Sequence, residues 1–319
     1  MGMLAGILCR LEPLVELNLP VWSHFENCRN VLIAGAGGGF DVFCGLPIYF
    51  TLRQRGINVH LANYSFSLLA GLKDGLQLSD GLVGITHELK GWLPYFPEHY
   101  LARWFYEKTG VRPLLESYQR LIEHLAIDAI LLVDGGVDSL MRGDGSAVGT
   151  LMEDSVSLCA VNELKQVPVR LSACIGFGAE QDLAHEQAFE NIARLTELDA
   201  FLGSCSLTKQ MEAYQLYEDA VMFVQNMNGQ DPSVINSSIV SATQGHFGDY
   251  HMTEKTHGSR LWISPLMHIY WFFDMRTVAK RNLLLDELRW TDSYNDVVRS
   301  AFRWLATRPK RRHTQIPLK

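Results

Sequence analysis

No two of the six cysteines, Cys9, Cys28, Cys44, Cys159, Cys174 and Cys205, form a CxxC pair. Four of them lie in or beside apolar segments, so they read as reduced core residues. Long hydrophobic runs are also missing. No segment offers about 18 uninterrupted apolar residues, the length a membrane helix needs. The opening MGMLAGILCRLEPL has too short an apolar run and no basic start for a signal peptide. A soluble, cytoplasmic protein without a membrane partner is expected. Excess positive charge is absent as well: the formal net charge of −7 leaves no basic face for a nucleic acid. One basic run remains, RPKRRH at 308–313 within a tail of about 308–319, read as solvated, with an anionic partner as the other reading. There is no repeat and no low-complexity tract.

What is present describes an ordinary globular chain. It has 319 residues, 47% of them hydrophobic and 20% charged, enough for one large α/β domain spanning 1–319. Short apolar runs alternate with longer amphipathic ones. NVLIAGA (30–36) reads as a buried strand, FCGLPIYFTLRQRG (43–56) as the following helix and NVHLANYS (58–65) as the next strand. The rhythm resumes with helix 114–126, strand 128–136, helix 150–164, strand 167–176, helix 183–198, strand 199–206 and helix 208–224. Five parallel strands in one Rossmann-like, doubly wound, mainly parallel sheet is the economical fold. A final strand and helix within 261–288 complete it.

Two stretches break the rhythm. Residues 73–113 form an insertion with seven aromatic side chains between Trp92 and Tyr106. It reads as an aromatic helical hairpin over a sheet edge or a subunit interface, compatible with a homo-oligomer, or as a pocket wall. Residues 225–260 hold SATQGHFGDYH (241–251), which has no strong strand or helix pattern.

The turn after the first strand poses the functional question. Gly35, Gly37, Gly38 and Gly39 are followed by Phe40 where a dinucleotide fingerprint requires its third glycine. GxGxG also fits the first motif of Rossmann-like methyltransferases. Yet the second strand ends at Asn63, where NAD and S-adenosylmethionine enzymes usually place an acid for the ribose. NAD and S-adenosylmethionine therefore stay open without support from that position. Other strand exits deliver carboxylates from glycine turns: Asp41 after the first, Asp134 and Asp138 around Gly135 and Gly136, and Glu180 after Gly176 and Gly178. In a doubly wound sheet these exits share one edge, with a crevice where the strand order reverses. Free amides of such turns can cradle an anion, and an acid aimed at that anion needs a hard cation between them. Mg²⁺ with a phosphorylated ligand meets that demand.

Structural readings compete with these. Asp41 can cap the helix it precedes, and Thr150 with Glu153 forms a capping box, which makes Glu153 and Asp154 read as structural. Asp134 and Asp138 have no obvious helix to cap, and Asp138 reads as an exposed strand-exit acid. His246, between Gly245 and Gly248 and close to Asp249 and His251, is the candidate general acid or base, expected to point into the crevice beside Asp134 and Asp138. The His246/His251 spacing lacks the further ligands that zinc requires.

GAGGGFDV (35–42), VDGGVDSLMRGDG (133–145) followed by EDSVSL, and SPLMHIYWFFD (264–274) resemble the family catalogued as domain of unknown function 1152 over most of the chain. The resemblance implies a Rossmann-like α/β fold and no particular activity. The expected function is a soluble Mg²⁺-dependent hydrolase or transferase acting on a phosphorylated or nucleotide-like small molecule. Asp134 and Asp138 would hold the metal, and Asp41, Gly35 to Gly39, Gly135 and Gly136 would hold the anionic ligand. Asp138 and His246 would carry the chemistry. A non-catalytic nucleotide or metabolite sensor, or a Rossmann methyltransferase or dehydrogenase, is the alternative.

Overall fold

Strands buried on both faces read as continuous apolar runs, and Val31–Ala34 is one, with all four residues at most 1% exposed. The computed structural model describes residues 20–37, 39–65, 72, 76–79, 82–84, 96–97, 111–145, 151–180, 183–227, 230–292 and 294–311. In chain order, a 3-10 turn Pro20–Phe25 precedes β1 (Asn30–Gly35), α1 (Asp41–Cys44), α2 (Leu46–Gln54) and β2 (Asn58–Ala62). Next come β3 (Leu76–Ser79), β4 (Leu82–Gly84), α3 (Val111–Leu125), β5 (Ala129–Gly135), α4 (Leu151–Glu163), β6 (Val169–Ile175), α5 (His185–Glu197) and β7 (Phe201–Ser206). The chain ends with α6 (Glu212–Gln225), α7 (Val234–Gln244), β8 (Ile269–Asp274), α8 (Met275–Arg281), α9 (Leu285–Leu288) and α10 (Tyr294–Thr307).

The main sheet has the order β2-β1-β5-β6-β8-β7. Its first four strands are parallel, in registers such as Val31 opposite Val59 and Ala129. The expected row of five parallel strands needs correction: β8 runs antiparallel between β6 and β7. β7 therefore keeps the common direction without touching β6. Alternate residues feed two cores. Leu32, Ala34, Ile130 and Leu132 pack with α3, α4, α5 and α8 to α10. Val31, Ile33, Leu131 and Val133 pack with α1, α2, α6 and α7. Helices thus cover both faces of a mainly parallel sheet.

The helix expected at 43–56 is broken at Gly45. A Cβ there would sit 2.6 Å from Ile33 Cγ2, so the glycine lets the chain press against β1. Pro47, tolerated in a first helical turn, restarts the helix as α2. In the 73–113 segment the described residues include an antiparallel β3–β4 hairpin, tied to α3 by Arg120 Nη1 donating to Leu78 O at 3.2 Å. The segment is therefore not wholly the helical hairpin expected, and its aromatic stretch lies outside the described residues except for Phe96, which is fully buried. The polar run expected to lack helix is helical through Gln244. The basic tail is not simply solvated where it is described: Arg308 lies over Trp304, and Arg311 pairs with Glu190 at 2.9 Å.

Gly45→Val should destabilise the fold by about 1–3 kcal/mol through overpacking against β1, read as a lower urea midpoint with an unchanged m-value. Gly56→Ala, where a Cβ meets nothing within 4 Å but φ is +80°, should cost only about 1–2 kcal/mol. A neutral Gly45→Val would contradict the close approach.

Candidate functional site

The turn leaving β1 is held from within. Ala36 N donates to Val133 O at 3.0 Å, Gly39 N to Tyr64 O at 3.1 Å, and Gly37 N to Asp41 Oδ2 at 2.6 Å. These three amides are therefore spent, and the expectation that the Gly35 to Gly39 amides stand free to cradle an anion is corrected for them; Gly38 lies outside the described residues. Asn63 explains its own presence at the end of β2. Its Nδ2 donates to Gly39 O at 2.7 Å, and its Oδ1 occupies the space where a Gly35 Cβ would stand. It clamps the turn from inside the fold, so a side chain at this position does not reach outward to a ribose.

Asp41 opens α1, but its carboxylate folds back over the turn. The helix has Phe40 at its N-cap and no side-chain cap. Besides the Gly37 amide, the Asp41 carboxylate accepts the Gly135 backbone N–H. A Cβ on Gly135 would lie 3.0 Å from Asp41 Oδ1. The β1 and β5 turns thus face each other across one crevice, at the point where the strand order reverses.

Asp134 does meet a helical turn, contrary to expectation. Its Oδ2 accepts the Ser139 amide at 3.1 Å, which braces the 3-10 turn Asp138–Leu140. Asp138 is 1% exposed, so the reading of an exposed acid is also corrected. Glu180 reaches across from the β6 exit, accepts Val137 N at 2.9 Å and fills the place of a Gly136 side chain. Only glycine leaves room for that carboxylate.

Asp154 is the acid that sequence reasoning set aside. Thr150, the capping partner, lies outside the described residues. Asp154 itself is 1% exposed in the first turn of α4, with Oδ1 3.1 Å from where a Gly37 Cβ would be. Among the described residues neither of its oxygens meets a donor. It can bond the neighbouring Asp138 carboxyl only if one of the two holds a proton. One oxygen from each of Asp41, Asp134 and Asp154 lies within 4.8 Å of the others. Its chemical meaning for sequence reading is simple: a capping-box pattern and a buried inward acid look alike in one dimension.

His246 is not part of this cluster. α7 enters the crevice by its N-terminus, where Ile235 touches the Gly135 and Gly176 positions and Asn236 Nδ2 donates to Phe40 O at 3.4 Å. His246 follows the other end, about 16 Å away at 1.5 Å per residue. There its exposed ring stacks on Tyr250 at 3.7 Å. The expected position beside Asp134 and Asp138 is wrong because residues 234–244 form a helix that carries it away. His251 pairs with Asp249 at 2.9 Å in the same surface loop.

Burial pushes Asp41 up to about 7 against the help of the Gly37 and Gly135 amides, with Asp138 and Glu153 adding repulsion. Burial, then neighbouring carboxylates, drive Asp134, Asp154 and Glu180 well above the usual range. The dominant neighbours are acids throughout. Such a group can share protons or close around a hard cation. The Cys44 and Cys174 thiols beside it are pushed up by the same burial, which disfavours a thiolate nucleophile.

For the cation-free protein the sign is definite. Between about 4, where an unfolded Asp ionises, and about 7 the folded protein holds a proton at Asp41 that the unfolded chain has released. Stability therefore falls as pH rises, and the upward shifts of Asp134, Asp154 and Glu180 extend the fall to higher pH. Scanning calorimetry in chelator should give a higher Tm at pH 5 than at pH 8, with a smaller difference in Asp41→Asn. A Tm that is flat or rises over that range would contradict the buried cluster.

No curated protein and no solved structure matches the chain. A family model described as protein of unknown function (DUF1152) matches residues 103–305. The matched segment carries Asp134, Asp138, Asp154 and Glu180, while the glycine turn and Asp41 precede it. With more than half of its length matched, the chain belongs to the DUF1152 family.

Proposed function

We propose that the protein is a Mg²⁺-dependent enzyme, a hydrolase or transferase acting on a phosphorylated or nucleotide-like small molecule at the β1–β5 crevice. The observation that carries this reading is the convergence of Asp41, Asp134 and Asp154, whose ligand oxygens lie within 4.8 Å of one another. Two of these acids are almost fully buried. Ionised together without a counter-charge they would be costly; a dication removes that cost. Asp154 adds the specific sign, because a buried carboxyl with no donor is a ligand in waiting.

Mg²⁺ takes oxygen ligands at close to octahedral geometry and keeps water and substrate phosphate in its remaining positions. Asp41 is partly exposed, as is Gly37 beside it, so the open side of the cluster faces solvent there. Phosphate recognition then rests on the cation rather than on the glycine turn. The general acid or base role expected of His246 falls instead to Glu180, which is partly exposed and held above the usual carboxylate range by burial. An NAD or S-adenosylmethionine site has less support, because the turn amides are occupied and Asn63 points inward. A binding-only sensor differs from the enzyme in one respect, turnover.

Mg²⁺ at pH 8 should stabilise the protein by about 2.7 kcal/mol at a hundredfold excess over Kd, measured by thermal unfolding. Asp154→Asn should raise the cation-free Tm at pH 8, by replacing a carboxyl that burial forces to take up a proton on folding, and abolish the Mg²⁺ effect. Release of inorganic phosphate from a panel of nucleoside di- and triphosphates, lost on chelation, would mark the enzyme. An absent Mg²⁺ effect in the wild type would overturn the cation site; binding without turnover would leave the sensor.

A further inference from the structure

The basic run of the tail meets other arginines around one carboxylate. Arg142, just past the Asp138–Leu140 turn, places Nη2 3.6 Å from Asp144 Oδ2, and Arg311 places Nε 3.7 Å from Asp144 Oδ1. Both contacts are too long to be hydrogen bonds. Arg311 Nη1 reaches Glu190 on α5 at 2.9 Å, but that acid is half exposed. Arg281, the last residue of α8, pairs with no carboxylate among the described residues; its Nη2 donates to the neutral Oδ1 of Asn191, the residue after Glu190, at 3.0 Å. The Leu283 amide donates to Arg142 O at 2.9 Å, which ties the end of α8 to the same loop.

Donors are left over. Arg142 Nε, Arg311 Nε and Arg311 Nη2 are closed to water and have no hydrogen-bond partner among the described residues, a costly state for a guanidinium. Asp144 Oδ1 is unmet too, yet closing it on Arg311 Nε would still leave Arg142 Nε and Arg311 Nη2. The charges do not balance either. Arg142, Arg281, Arg311 and Arg308, which lies over the Trp304 ring at 5.6 Å, stand against Asp144 and Glu190 alone, in a chain of net charge −7. Arg194 close by is taken by Glu197 at 2.6 Å. Arg281 registers the crowding: burial, then Arg142, Arg311 and Arg194, lower its hold on a proton, against the pull of Glu190. A cavity of about 270 Å³ opens against Asp144, with Leu283, Trp304, Arg308 and Pro309 as its other walls. That is smaller than the usual site of a drug-sized ligand.

We propose that Arg142, Arg281 and Arg311 form a binding site for a phosphate-class oxyanion, either the free ion or the phosphoryl end of a small molecule whose remainder enters the cavity beside Asp144. Guanidinium forks match the oxygens of such an anion and bond them in pairs. An oxyanion supplies the acceptors that the leftover donors lack and the negative charge that Asp144 and Glu190 do not provide. The site needs no cation, so it stands independently of the Mg²⁺ reading above.

The test is calorimetric titration of inorganic phosphate and of glycerol 3-phosphate into the full chain, in chelator and with ionic strength matched by chloride. Chelation keeps phosphate from being drawn to the carboxylates of the β1–β5 crevice through a cation. Saturable one-to-one binding is expected, weaker by about tenfold or more in Arg281→Gln and in Arg142→Gln. Arg142→Gln guards against a folding defect, because among the described residues that side chain makes no hydrogen bond for the fold to lose. Arg53→Gln removes the same charge from α2, on the opposite face of the sheet, and should keep the wild-type affinity. Tighter binding of inorganic phosphate assigns the site to the free ion, and tighter binding of the ester assigns it to a phosphorylated small molecule. No saturable binding of either by the wild type overturns the site. Unchanged affinity in both Arg281→Gln and Arg142→Gln, or an equal loss in Arg53→Gln, overturns it as well.

Discussion

Carboxyl groups kept out of water with other carboxyls as their main charged neighbours are the constraint around which the crevice is organised. Each acid is accommodated by local features that would otherwise be unnecessary. Gly37 and Gly135 offer amides to Asp41, Ser139 offers one to Asp134 and Val137 one to Glu180. Gly136 has no side chain because Glu180 stands in its place. The glycine turn, which in sequence looks like an anion cradle, serves here to receive negative charge from the protein's own side chain. Carboxylate–amide bonds are among the stronger hydrogen bonds, yet they do not offset burial and mutual repulsion. Desolvation remains the largest influence on Asp41, Asp134, Asp154 and Glu180.

Much of the fold was legible because the strands are buried on both faces, and such runs announce themselves. VLIA and AILLV have no other good explanation, and the helices between them carry one apolar face each. Orientation was not legible for β8: IYWFFD has the composition of any buried strand, and direction is decided by the path of the preceding chain. The break at Gly45 was hidden because helix propensity alone does not report how closely the backbone must approach Ile33.

At the site, the sheet topology brings the acids of the strand exits together, and that followed from their order along the chain. Asp154 did not stand out because it lies in a helix, in a pattern that also describes a cap. His246 misled for the opposite reason. Glycines on either side suggested a working loop, whereas Gly245, at φ +90°, is the left-handed residue that ends α7. A residue's chemistry can be read locally, but its distance from a site depends on the length and direction of the element that carries it.

The place of β8 has a consequence for synthesis. β7 ends at Ser206 and its sheet neighbour among the described residues, β8, begins at Ile269, so about sixty residues must emerge between the two. At about 5–20 residues per second, this strand waits several seconds on the ribosome with both backbone edges unpaired. Its sequence, FLGSCS, suits that delay: a central glycine and small polar residues make it a poor template for foreign strands. The richly aromatic IYWFFD arrives last, when both flanking strands are already available to close over it.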